Sequence, residues 1–411
     1  MIIDKEYAPA KVERTFVQQA GISWEVYTTQ PLKRLKNFIR LDNGRVFAIC
    51  SENLNDPTYP NNPTCFGLYY TDDGETWTKC SYNFSCSFDT GDILKRITHI
   101  YALGNDILAR LFDSTTNNYT YYLSQDNGNS WAVVSLPSTS SLTGTIKTNT
   151  GRVIITLYSN SEIYYSDDNY NTWQVLTSYT YIKEFNSVKV NGSAASWLYL
   201  KNIGRILAVH YNYMQADINK TGIYYSDDDG ETWSEATKTG SDTNYLTCGR
   251  FFIHDKINNK VYIETGSDSF FVSEDNGETW HIHVHADIGF GDDCVLVFDE
   301  TSSILYDLKE HGPTKLARYT TDFGLTFHDI TDISDSTNNY TNSIGYNTKN
   351  ASITGNSTIV AYAQGTNVPL CLIVSKTVYN ETKLYNKPLT QEGIQALIDE
   401  CKAYVQGLKN S

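Results

Sequence analysis

Short apolar runs bounded by Gly, Asn or Asp recur along the whole chain, and their alternation has the two-residue period of strands rather than the period of helices. Segment 33–80 shows the unit. Leu35, Phe38 and Ile39 predict a first strand, Asp42-Asn43-Gly44 a tight turn, and Val46 to Ile49 a second strand. Gly67 to Thr71 predicts a third strand, and a fourth begins at Thr78. Segment 94–135 repeats this order, with Leu94-Lys95-Arg96-Ile97 echoing Leu32-Lys33-Arg34-Leu35. Gly151-Arg152-Val153-Ile154 and Gly204-Arg205-Ile206-Leu207 mark further second strands, followed by units at 246–283 and 293–330.

Between the third and fourth strands stands an octapeptide, Ser-x-Asp-x-Gly-x-Thr-Trp. It is complete or nearly so at Ser124–Trp131, Ser226–Trp233 and Ser273–Trp280, and looser at Tyr70–Trp77, Ser166–Trp173 and Thr320–Phe327. Its aspartates read as Asp72, Asp126, Asp168, Asp228, Asp275 and Asp322, and its tryptophans as Trp77, Trp131, Trp173, Trp233 and Trp280. A remnant, Gly21-Ile22-Ser23-Trp24, lies near the start. The spacing is that of a four-stranded propeller blade. Beyond the last box, Ser343–Tyr346, Thr358–Ala363 and Pro369–Val374 supply strands without a box, and Ser23–Thr28 can complete them. That pairing would remove two open sheet edges and make seven blades; six follow if the terminal strands are accessory.

The last residues change pattern. After Asn386-Lys387-Pro388, Thr390 is a helix N-cap, and Ile394, Leu397, Cys401, Tyr404 and Leu408 fall at helical spacing. The expected organisation is therefore a propeller over 1–376 and an appendage over 377–411 carrying one short amphipathic helix. So short a helix needs its stripe buried, by docking on the propeller or by association with other subunits or assembly partners.

Composition narrows the function. The chain has 411 residues, a net charge of −15, 31 tyrosines and two methionines. Such an acidic balance repels phosphate backbones, which argues against nucleic acid. No apolar stretch is long enough to span a membrane, and the N-terminus lacks a signal-peptide core, so synthesis in a cytosol is expected. The eight cysteines have no CxxC pair and are read as mostly reduced. His281, His283 and His285 alternate on one strand face, but with no further ligand in view they read as an outer-strand face; neither metal nor cofactor is expected.

The repeated octapeptides resemble the Asp-box, or BNR-repeat, β-propellers, the superfamily that includes sialidases. This resemblance implies an all-β, seven-bladed (alternatively six-bladed) ring whose boxes are turn staples on the side away from the usual binding face. Sialidases clamp a substrate carboxylate with three arginines. Counting back from Gly44 gives Arg34 as the counterpart of the first, without the flanking Phe and Pro; Arg96 repeats its phase, and Arg250 falls within one residue of it. No Tyr/Glu pair for catalysis can be picked out from the sequence. The wording Pro388-Leu-Thr-Gln-Glu-Gly-Ile-Gln-Ala-Leu-Ile398, with Lys402-Ala-Tyr-Val405, is similar to segments at the ends of bacteriophage tail and fibre proteins. Three readings follow. The first is a non-enzymatic virion protein binding host-surface carbohydrate or building the tail, partnered by virion proteins or by itself through the C-terminal helix. The second is an exo-sialidase or related glycoside hydrolase using Arg34, Arg96 and Arg250. The third is a cytoplasmic scaffold for protein assembly.

Overall fold

The computed structural model describes residues 22–27, 35–50, 67–81, 88–89, 92–93, 95–139, 142–157, 163–177, 197–209, 222–239, 249–265, 269–284, 296–308, 318–329, 351–363 and 371–377. Ser23–Lys376 is a compact unit of its own. It is all-β, and the octapeptide and hairpin signals explain why. Each blade is an antiparallel meander in which the first strand, nearest the centre, turns tightly into the second.

Six blades are contiguous in sequence. Their first strands are Leu35–Arg40, Lys95–Leu103, Leu142–Lys147, Trp197–Leu200, Gly249–Asp255 and Leu296–Asp299, taken here as blades 1 to 6. Blade 7 is composite: Ala351–Ile353, Ile359–Ala363 and Cys371–Thr377 are joined at the outer edge by Ile22–Tyr27. First strands touch in cyclic order from blade 7 through blades 1, 2, 3, 4 and 5, and again between blades 6 and 7. Blades 5 and 6 meet through Ile253, Tyr262, Phe270, Leu305 and Phe323, which closes the ring. Blade 5 carries a fifth strand, Thr237–Thr239, laid parallel to its outer strand Thr279–Val284. A two-stranded hairpin, Phe88–Asp89 with Asp92–Ile93, lies in the link between blades 1 and 2.

The core lies between blades. Second strands are buried on both faces, as in Val46–Cys50, Val153–Leu157 and Arg205–Val209, because each sheet is covered on either side. Blades 1 and 2, for example, bury Phe47, Ile49, Leu68, Ile97, Ile107 and Trp131 together. Trp280 is wholly buried between blades 4 and 5. Cys50 and Cys80 are both buried, and Cys80 is a free thiol. Burial pushes the Cys80 thiol up to about 12, so it stays protonated and acts as a small apolar side chain. The amphipathic helix read from Ile394, Leu397, Cys401, Tyr404 and Leu408 lies outside the described residues.

Candidate functional site

Strand direction gives the ring two unlike faces. Turns between first and second strands lie on the same side as the boxes, and this box face is described almost throughout. The links between second and third strands, and between blades, lie on the opposite face and mostly outside the described residues; the blade 2 hairpin turn at 114–117 is an exception.

Each box is a closed local circuit. In blade 4, Ser226 Oγ accepts from Gly230 N (2.8 Å) and donates to Asp228 Oδ1 (2.8 Å). Asp228 then accepts from Thr232 N (2.8 Å) and Thr232 Oγ1 (2.6 Å), while Trp233 Nε1 donates to Gly230 O (3.0 Å). Asp126, Asp168, Asp275 and Asp322 hold the same position in their turns. The Thr172 hydroxyl and amide hold the Asp168 carboxyl down to about 2, and the Ser130 hydroxyl and amide lower that of Asp126. With these bonds in place, the box carboxylates are occupied within their own turns.

Blade 1 corrects the sequence reading. Its box is one residue shorter, so Thr71 takes the serine position and Asp73, not Asp72, accepts from Glu75 N (2.9 Å) and Thr76 N (2.7 Å). Asp72 instead receives a two-pronged bond from Arg45 Nε and Nη2 (2.7 and 2.8 Å). Asp72 belongs to a second repeat, one that the sequence reading missed.

That repeat is a clasp between neighbouring blades. Arg45, Arg152 and Arg205 open second strands, and each grips the residue after the box serine or threonine: Asp72, Asp167 or Asp227. Each stacks on a tyrosine of its own blade, with Arg152 4.5 Å above the Tyr165 ring and Arg205 4.5 Å above that of Tyr225. Each also reaches the next blade's box. Arg152 donates to Asp229 O (3.0 Å) and Glu231 (2.6 Å), Arg205 to Asn276 O (3.2 Å) and Glu278 (2.9 Å), and Arg45 to Asn127 O (3.2 Å). Planar guanidinium suits this task because it bonds in several in-plane directions while its face stacks. Blade 5 substitutes Lys260, paired with Glu274 at 2.5 Å.

Between blades 2 and 3 the polarity is reversed. Asp106 occupies the arginine position, and Gln125 stands where the acid would be. The cation comes from Lys147 of blade 3 (2.5 Å to Asp106 Oδ2), and Tyr170 Oη donates to the same oxygen (2.8 Å). Tyr170 replaces the box glycine, holding φ at 71° where box glycines lie between 86° and 98°. Burial and the Asp106 charge push its phenol up, so it remains a donor.

Bonds between blades tie together the turns around the centre of the box face. Asp42 N donates to Gly104 O (3.2 Å), Asn149 Nδ2 to Lys201 O (2.8 Å), and Gly355 N to Gly44 O (2.9 Å). A Cβ on Gly44 would lie 2.5 Å from Gly355 Cα, so blades 7 and 1 need the glycine there. Lys201 of blade 4 also pairs with Asp42 of blade 1. Those blades are not neighbours, so the pair spans the central opening.

On the opposite face only one of the three arginine side chains falls among the described residues. Arg34 lies outside the described residues, as does the side chain of Arg250. Pairing of Gly249 with Thr265, against Ile97 with Leu111, puts Arg250 at the strand bulge two positions on from Arg96, not within one. Arg96 is exposed at the start of its first strand, 5.4 Å above the Phe112 ring. Phe112 in turn meets Tyr119 at 4.8 Å, its partner across the hairpin of the second and third strands of blade 2. Of the histidine trio, His281 is exposed, His283 bonds Asp322 O at 2.8 Å, and His285 lies outside the described residues. No group of metal-ligating side chains occurs among the described residues.

The Sortilin-Vps10 family profile (sortilin, neurotensin receptor 3) matches residues 221–399, less than half of the chain. No curated protein matches the sequence. Among solved structures, virginiamycin B lyase from Staphylococcus aureus is similar with a TM-score of 0.50 at 9% identity, over 87% of this chain and 100% of its own. YCF48 from Cyanidioschyzon merolae gives 0.49 at 13% identity, over 86% of this chain and 98% of its own. The xyloglucanase from Xanthomonas campestris gives 0.48 at 11%, over 76% of this chain and 47% of its own. At such identities the lyase speaks to the propeller fold alone.

Proposed function

We propose that this chain is a non-enzymatic component of a tailed-phage virion, a tail or fibre protein whose propeller binds host-surface glycan through the face opposite the boxes. The Lys201–Asp42 pair across the central opening is the observation that carries the choice of face. The box-side centre is engaged in bonds within the ring, which leaves the loop side for a ligand. A tyrosine-rich chain suits saccharide, since aromatic faces stack on sugar rings while amides and carboxylates bond hydroxyls. The phage assignment is supported by the wording of Pro388–Ile398.

A glycan array probed with the full chain tests the binding, with retention of a bacterial surface glycan expected and an array without hits counting against it. A glycoside hydrolase remains the second reading, favoured by Arg96, exposed at the start of a first strand. Release of methylumbelliferone from a sialoside, abolished by Arg96→Ala, would establish that reading instead.

A further inference from the structure

We infer that the junction of blades 7 and 1, on the inner rim of the box face, is a binding site for a carboxylate that the ring does not itself supply. The inference is independent of the glycan reading, which concerns the opposite face. A register repeated around the ring carries it. Arg40, Lys147 and Tyr199 each stand one residue before the pair that closes the first hairpin of their blade: Leu41 with Arg45, Thr148 with Arg152, and Leu200 with Arg205. From this position Lys147 reaches back to Asp106 of blade 2, and Tyr199 Oη accepts from Asn149 N of blade 3 (2.8 Å). Arg40 turns the same way, and the carboxylate it approaches is Glu300 of blade 6, beyond blade 7. Blade 7 itself has Thr358 introducing its second strand, where blade 2 has Asp106. The cation of an inverted contact is present here without its acid.

The bonding around Arg40 shows the gap. Its Nη1 lies 3.6 Å from Glu300 Oε1, too far for a hydrogen bond, and Glu300 gives its other oxygen to Lys256 at 2.7 Å. Arg40 Nε is buried and has no hydrogen-bond partner. The other carboxylates of the neighbouring turns are committed. Asp42 pairs with Lys201, Asp255 accepts from Ile257 N and Asn258 N, and Asp299 accepts from Thr301 N and Thr301 Oγ1. A guanidinium stays charged and aims its donors in one plane, so a buried Nε without an acceptor is costly. An incoming carboxylate removes that cost with a two-pronged bond of the kind Arg45 makes to Asp72. The Arg40 side chain is 22% exposed, which leaves it a side open to solvent.

Thermal melting of the full chain in sodium acetate, against sodium chloride of equal ionic strength, tests this. Acetate should raise the midpoint by about 2 °C, saturating in the millimolar range, and chloride should not. Arg40→Met keeps the apolar stem and should abolish the response. Thr358→Asp supplies the acid from within, so it should raise the midpoint in chloride and leave acetate little to add. A capped Gly-Asp-Gly peptide separates two sources of the same group. A response to acetate alone assigns the site to a free small acid, and a response to both extends it to an acidic side chain of a docked protein. No saturable difference between acetate and chloride, or a difference that Arg40→Met retains, would overturn the inference and leave the buried donor to water. The glycan array decides the loop-side reading whichever result is obtained.

Discussion

The contact between blades 2 and 3 and the contact between blades 4 and 5 use one slot in opposite senses. At 4/5 a nearly buried Arg205 grips Asp227 and Glu278, whose carboxylates are half exposed. At 2/3 the charge that opens the second strand is an acid, Asp106, with only 9% of its side chain exposed, and the neighbour supplies Lys147 and Tyr170. What the slot requires is complementarity, and the sign is free. The two contacts differ in what is stranded when a partner is lost. Removing the arginine leaves carboxylates that water can reach, whereas removing the lysine leaves a carboxylate that water barely reaches.

The largest effect should come from Lys147→Met. Stranding Asp106 should cost about 3 kcal/mol in urea unfolding, and Asp106→Asn in the same chain should recover much of it. Tyr170→Phe comes next, at about 2 kcal/mol, since it removes one bond to a charged acceptor and keeps the ring. If Tyr170→Phe costs nothing, the inverted contact depends on Lys147 and Gln125. Arg205→Met should cost about 1 to 2 kcal/mol and, unlike Lys147→Met, should shrink in high salt, because its partners are solvated. The smallest effect separates the two aspartates of blade 1. Asp73→Ala should cost about 1 kcal/mol through loss of its turn bonds, and Asp72→Ala less than that.

Acid provides a separate check, on groups that lie outside both contacts. His254 and His283 are held below their ordinary value by burial, so the unfolded chain takes up protons first as pH falls through about 6.5, giving a shallow loss of stability. Carboxyls held low, such as Asp126 and Asp168, stabilise the fold above the unfolded value of 3.8, and this is lost as pH falls through the folded one, about 2 for Asp168. A melting temperature followed against pH should therefore decline gently below 6.5 and steeply between about 4 and 2. A curve level down to pH 3 would contradict the low carboxyls.

The boxes were legible because their bonds join residues at most four apart, as from Asp228 to Thr232. Closure by the terminal strands was legible because the unpaired strands at the two ends complemented each other. The clasp was not, since Arg152 reaches across 77 residues to Asp229. Its signal was nonetheless present. The residue after the box serine or threonine is acidic in blades 1, 3, 4 and 5, whose second strands are introduced by Arg45, Arg152, Arg205 and Lys260, and it is Gln125 in blade 2, where Asp106 stands. The shortened box of blade 1 hid the role of Asp73, and a first hairpin turn two residues longer in blade 5, closing at Asp255 and Lys260 rather than as at Leu103 and Asp106, moved Arg250 out of the phase of Arg96. Insertions and deletions of one or two residues are invisible to a count along the chain yet decide which way a side chain points.

The composite blade also sets a clock on synthesis. Ile22–Tyr27 is among the first strands made, and its partner Cys371–Thr377 among the last. At about 5 to 20 residues per second, the early strand waits roughly 20 to 70 seconds with its hydrogen-bonding edge unclaimed. Closing so long a loop adds little entropy beyond that of a shorter one, so the delay belongs to the ribosome more than to the chain search. During that interval a nascent ring is an open row of blades with two free ends, exposed to its neighbours on the same messenger.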